Sequence, residues 1–124
     1  MLQRMRKASL VVLVTWVLSI SASGADISGK WAFTVELDMG TGSPVFTFQQ
    51  KGDRLTGTYS GAAGKADLTG SVKGDQVEWK FIARYEGVDY DVVYEGTIEP
   101  DNAMKGTCLY GGQLSGTWTA KRTE

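Results

Sequence analysis

Six copies of one five-residue pattern (apolar, any residue, Gly, any residue, apolar) set the limits on what this chain can become. They are Ile27–Trp31, Leu55–Tyr59, Leu68–Val72, Tyr94–Ile98, Met104–Cys108 and Leu114–Trp118, centred on Gly29, Gly57, Gly70, Gly96, Gly106 and Gly116. The flanking residues recur every second position, the period of a strand with one buried face. A glycine on that face removes a side chain and marks a bend or a close approach by another group. Six such positions predict a sheet that curls until it closes on itself.

Eight strands follow from the alternation and the turn residues between. They run over about Ser28–Leu37, Val45–Gln50, Arg54–Tyr59, Ala66–Val72, Gln76–Tyr85, Asp89–Ile98, Met104–Tyr110 and Leu114–Lys121. Asp38–Pro44 and Ser60–Gly64 read as loops; Lys51–Asp53, Lys73–Asp75, Glu99–Asn102 and Gly111–Gly112 read as turns. No segment after the first 25 residues has a helical period. Short connections predict that neighbours in sequence pair antiparallel.

A register can be read for two hairpins. A two-residue turn at Gly87–Val88 sets Tyr85 opposite Tyr90, Phe81 opposite Tyr94 and Trp79 opposite Gly96 on the inner face. On the outer face Arg84 then meets Asp91, Lys80 meets Glu95 and Ile82 meets Val93. A turn at Lys51–Gly52 sets Phe46 opposite Gly57 and Phe48 opposite Leu55. With these strands, all 12 aromatic residues beyond the first 25 point inward: Trp31, Phe33, Phe46, Phe48, Tyr59, Trp79, Phe81, Tyr85, Tyr90, Tyr94, Tyr110 and Trp118. A sheet with one apolar face and no covering helix buries that face by closing into a barrel or folding into a sandwich. The reading adopted is all-β, an eight-stranded antiparallel up-and-down β-barrel.

Residues 1–25 read as a secretory signal peptide. Arg4, Arg6 and Lys7 precede the apolar run Ala8–Ile20, and Ser23-Gly24-Ala25 offers the small residues a signal peptidase reads. The expected product is one domain, residues 26–124, in a secreted, periplasmic or extracellular location. Removing three basic residues from thirteen leaves ten against fourteen acidic ones, a balance of −4. That balance argues against nucleic-acid binding, and no basic patch invites a membrane surface after cleavage. Cys108 is the sole cysteine, so no internal disulfide forms.

Histidine is absent, which removes the usual general base and the commonest metal ligand. Asp89, Asp91 and Glu95 make a carboxylate stripe, but an outward one facing Lys80 and Arg84. Neither a calcium loop nor a phosphate-cradling loop is spelled out. No catalytic residue, metal ligand or cofactor site is assigned. The candidate ligand-binding residues are the inward rings Tyr59, Trp79, Tyr85, Tyr90, Tyr94, Tyr110 and Trp118, with Gln50 a further inward polar group. A barrel mouth lined by rings and a few hydroxyls suits a small apolar or aromatic molecule.

Gly29-Lys30-Trp31, Leu55-Thr56-Gly57-Thr58-Tyr59, Ala63-Gly64-Lys65-Ala66, Leu68-Thr69-Gly70 and Val77-Glu78-Trp79-Lys80 together resemble the avidin and streptavidin family of small secreted barrels. The resemblance covers mainly the first five strands and is shared with lipocalin-like barrels. It implies an eight-stranded barrel in which Tyr59 hydrogen-bonds a ligand and Trp79 walls it. Phe33 and Gly61 stand where the family has polar residues, and the late tryptophan motif and terminal aspartate have no counterpart. The expected function is a secreted, non-enzymatic barrel binding a small apolar or aromatic ligand, with room for a homo-oligomer. The alternatives are a ligand-free structural or protein-interaction module with a filled core, and a cyclase- or isomerase-like pocket with a tyrosine acid.

Overall fold

A computed structural model of the chain describes residues 25–124. Apart from Ala25, the signal-peptide reading falls outside the described residues. The strands are β1 (Gly29–Leu37), β2 (Gly40–Gly42), β3 (Val45–Lys51), β4 (Arg54–Gly61), β5 (Gly64–Lys73), β6 (Gln76–Tyr85), β7 (Val88–Glu99), β8 (Ala103–Tyr110) and β9 (Leu114–Arg122). Each pairs antiparallel with its neighbour, and β1 closes the wall against β9 from Trp31 opposite Arg122 to Leu37 opposite Gly116.

The ninth strand does not add a stave. β2 and β3 meet β1 in one continuous register, Leu37 with Gly40, Val35 with Gly42 and Ala32 with Val45. They are one stave broken at Ser43–Pro44, where the Phe33 N–H donates to the Pro44 carbonyl at 3.0 Å. Proline has no N–H to give to a ladder, so the break falls there. The closed wall therefore has eight staves. Asp38–Pro44, read as a loop, is instead a tight turn at Asp38–Met39 followed by wall. Ser60–Gly64 is likewise shorter as a loop than expected, because pairing continues to Gly61 opposite Gly64.

Both expected registers are corrected by two residues. Glu86 and Gly87 form the β6–β7 turn, with φ of 51° and 79°, the left-handed pair that a type I′ hairpin needs. Trp79 consequently faces Tyr94, Phe81 faces Val92 and Arg84 faces Asp89; Lys80 faces Val93 and Ile82 faces Asp91. The other hairpin turns at Gly52–Asp53, putting Phe46 opposite Tyr59 and Phe48 opposite Gly57. A shift of two leaves every side chain on its own face, so the interior is as expected while the partners differ.

Trp31, Phe33, Phe46, Phe48, Tyr59, Trp79, Phe81, Tyr94 and Trp118 are buried in one core with Ile27, Val35, Leu55, Leu68, Val92 and Met104. Phe33 lies near its centre, 4.6 Å from the Phe46 ring, 4.8 Å from Trp118 and 5.7 Å from Trp79. The glycines let these rings in. A Cβ on Gly96 would lie 2.6 Å from Trp118 Cζ2, and one on Gly106 would lie 2.5 Å from Gly96 Cα and strike the Glu95 carbonyl. Gly106 faces Gly96 across the β7–β8 ladder and Trp118 across the β8–β9 ladder. The two glycines thus form the floor under an indole.

Gly106→Ala forces backbone rather than a flexible side chain to move. Overpacking of this kind costs about 1–3 kcal/mol. Urea unfolding should show a loss of that size for Gly106→Ala, and a change within about 0.5 kcal/mol for the exposed Ser115→Ala.

Candidate functional site

The two ends of the barrel differ in kind. At one end lie the turns after β3, β5 and β7, together with both ends of the described chain. That end is plugged. Ile27 is fully buried, and its carbonyl accepts the Trp31 indole N–H at 2.9 Å. Gln50 holds this plug: its Oε1 accepts the Ile27 N–H at 2.9 Å, and its Nε2 donates to the Ala25 and Gly52 carbonyls at 3.1 and 2.9 Å. Gln50 is therefore a clamp on the chain rather than a group at the mouth. Arg122 binds the plug from the other side, donating to the carbonyls of Ser28 and Asp26 and to Asn102 Oδ1, with its guanidinium 4.8 Å from the Trp31 ring centre.

At the opposite end lie the turns after β1, β4, β6 and β8. All five tyrosines belong to this half of the molecule. Tyr59 sits two residues before the end of β4, stacked on Phe81 at 4.5 Å, and its hydroxyl accepts the Ala63 N–H at 3.3 Å. Tyr94 rises from the middle of β7, stacked on Trp79 at 5.3 Å, and shares a 2.7 Å hydrogen bond with the Tyr110 hydroxyl at the end of β8. Cys108 faces Tyr94 across the ladder. A hydroxyl can be buried only with a partner, so the tyrosine rings enter the core with their oxygens directed to this rim.

Of the seven expected ligand-binding residues, the fold brings Tyr59, Trp79, Tyr94 and Trp118 together in the core and places Tyr110 half-buried at its edge. Tyr85 and Tyr90 are not covered as the inward placement predicts: they are 61% and 40% exposed. Both have inward parity, but the β6–β7 hairpin runs past the rim, so nothing covers them. Val88, 50% exposed, sits between them opposite Tyr85. Ile82 and Leu109 add exposed apolar surface on the outer side of the same region. The expected Ile82–Val93 pair is replaced by Val93 against Leu109.

Three small residues at this end are not among the expected binding residues. Ala63, Ala66 and Ala83 are small inward positions between large ones, with Ala66 opposite Tyr59 and Ala83 opposite Tyr90. The signal was present for Ala66 and Ala83, which interrupt otherwise bulky inward rows, and not for Ala63, which lies in the β4–β5 turn.

Surface clefts of about 540, 500 and 370 Å³ are found on the outer wall and rim. The largest is an open saddle over β7, β8, β9 and β1, lined by Thr34, Thr107, Thr117, Thr119, Glu36 and Lys105. Gln76 and Thr97 also line it, with the Gln76 amide donating to the Thr97 hydroxyl at 3.5 Å. The smallest lies at the rim against Tyr90, Leu109 and Gly111. Among the described residues one buried side-chain polar atom lacks a hydrogen-bond partner: Trp79 Nε1, among the rings of Phe33, Phe46, Phe48 and Tyr94.

No family model and no curated protein matches the chain. Among solved structures it is similar to one described as a redesigned beta barrel, with a TM-score of 0.64 and 19% identity over 79% of this chain and 92% of that one. At that identity the likeness establishes the barrel fold alone. The avidin-like and lipocalin-like texture of the sequence accordingly stands as barrel architecture.

Burial controls the acids of this end. It pushes the Tyr94 hydroxyl far above its usual range, with neighbouring Tyr110 adding to the effect. It also pushes Tyr110 up to about 12 and the Cys108 thiol up to about 11, the latter against a hydrogen bond from Tyr94. Each group holds its proton more tightly in the folded chain. Stability is therefore whole below the unfolded pKa and falls as pH climbs from there toward the folded value. The decline should begin near pH 9.0 through Cys108 and near 10.0 through the two tyrosines. Urea midpoints measured from pH 8 upward should show it, and Cys108→Ala should move its onset toward pH 10.

Proposed function

We propose that this protein is an exported, non-enzymatic recognition module whose interior is structural and whose working surface is the tyrosine end. One observation carries this reading. The interior is occupied by packed rings, while Tyr85, Val88 and Tyr90 of the β6–β7 hairpin stand exposed beyond one rim, and Ile82 and Leu109 are exposed on the outer side of the same region. Exposed aromatic and apolar groups concentrated at one place mark interaction sites, and tyrosine serves such sites because it presents a large rigid face and a polar tip. The plugged opposite end, with its clamps at Gln50 and Arg122, fits a scaffold that presents one surface.

A second reading has its own support. A small apolar or aromatic molecule lying across the mouth, in contact with Tyr59, Tyr94 and Tyr110, would meet three hydroxyls. The solitary Trp79 N–H is a donor in want of an acceptor, and buried donors without partners call for an explanation.

Fluorine NMR of the chain carrying 3-fluorotyrosine separates the two. Extract from the protein's source compartment is divided into dialysable and retained fractions. For the interaction module the retained fraction shifts the Tyr85 and Tyr90 resonances and leaves those of Tyr94 and Tyr110 in place. For the small-ligand barrel the dialysable fraction shifts Tyr59, Tyr94 and Tyr110 instead. Absence of any shift with either fraction removes both.

A further inference from the structure

The β5–β6 ladder stops early. Its pairs run from Lys73 with Gln76 to Leu68 with Phe81. Both strands continue for four more residues beyond that pair, Gly64–Asp67 on β5 and Ile82–Tyr85 on β6. Over this length β5 pairs only with β4 and β6 only with β7. Two extended backbones thus flank a slot in the wall at the tyrosine end, each with one ladder edge unused.

Continuing the register shows what keeps the slot open. Asp67 would face Ile82, Ala66 would face Ala83 and Lys65 would face Arg84. Two cations directly opposite one another destabilise a pair. Among the described residues Lys65 has no ion pair, and Arg84 has Asp89 on its other flank at 3.1 Å. Behind the slot the inward side chains are Ala66 and Ala83, above the Tyr59–Phe81 stack.

We propose that this slot is a strand-addition site for an extended acidic peptide segment. The reading rests on the interaction module above and names its partner chemistry. Unused backbone donors and acceptors at strand spacing are matched by another extended backbone. A residue of the added strand pointing outward at the level of Lys65 and Arg84 lies between two cations and is therefore acidic. Its two neighbours in sequence point inward, one level with Ala66 and Ala83 and the other with Gly64 and Tyr85, and are therefore apolar. The recognised segment alternates apolar, acidic, apolar. An added strand lies between the two cations, so the repulsion that holds the ladder open becomes attraction.

The test uses residues 26–124 and two synthetic peptides, acetyl-TVEVT-amide and acetyl-TVKVT-amide. Hydrogen exchange of the free protein comes first. Amides on the slot-facing edges of Gly64–Asp67 and Ile82–Tyr85 should exchange rapidly; protection equal to that of the Leu68–Phe81 ladder overturns the proposal. With peptide added, the glutamate form should slow exchange in those two segments and bind about tenfold more tightly than the lysine form, as one favourable against one unfavourable exposed charge contact implies. The exposed double variant Lys65→Glu, Arg84→Glu should invert that preference. Equal affinity for the two peptides, no binding of either, or protection elsewhere overturns the slot. None of these results alters the fluorotyrosine outcome at Tyr85 and Tyr90, so the two readings fail separately.

Discussion

Everything in this barrel depends on fitting large rings against bare backbone. Trp118 lies over Gly96 and Gly106, and Phe48 and Trp79 face Gly57 and Gly70 across their ladders. Burying one such ring removes about 150–250 Å² from water, worth roughly 4–6 kcal/mol as an upper bound at 25 cal/mol per Å². The exposed Arg84–Asp89 and Lys105–Glu99 pairs are worth about 0–1 kcal/mol each. Ring burial therefore decides the architecture, and the glycines are its geometric condition. With a Cβ at those positions the staves would stand too far apart for the rings to meet at the centre.

The same economy separates the two ends. Phenylalanine needs no partner and fills the middle. Tryptophan needs one acceptor, which Trp31 finds at the Ile27 carbonyl and Trp118 at the Thr107 carbonyl, each at 2.9 Å. Tyrosine needs to place an oxygen, and the rim is where the Tyr59, Tyr94 and Tyr110 hydroxyls find partners. The end that receives the chain termini is closed by backbone and by Gln50 and Arg122. The other end keeps phenols, alanines and an unzipped seam. That end is the proposed working surface because its polar and apolar groups are not consumed by the plug.

Much of this was legible from the residues in order. Alternation named the strands, the turns and the inner face, because period two is a local property of each segment. The register of the β6–β7 hairpin was not legible in the same way. Arg84 against Asp91 and Arg84 against Asp89 both pair opposite charges, and both keep Trp79 and Tyr94 inside. The choice fell to the turn, where Glu86 adopts a left-handed conformation ahead of Gly87. Tyr85 and Tyr90 show the complementary limit. Both have inward parity in their strands, but parity says nothing about where the surrounding wall ends.

By itself the sequence determined an all-β chain with one aromatic inner face and no histidine, since each follows from residue type and short-range spacing. Only the tertiary structure decided which tyrosines are covered, that Gln50 serves the plug, and that β5 and β6 part company above Leu68 and Phe81. Those outcomes depend on the relative height of neighbouring staves and on contacts between residues far apart in the chain, and no local pattern encodes either.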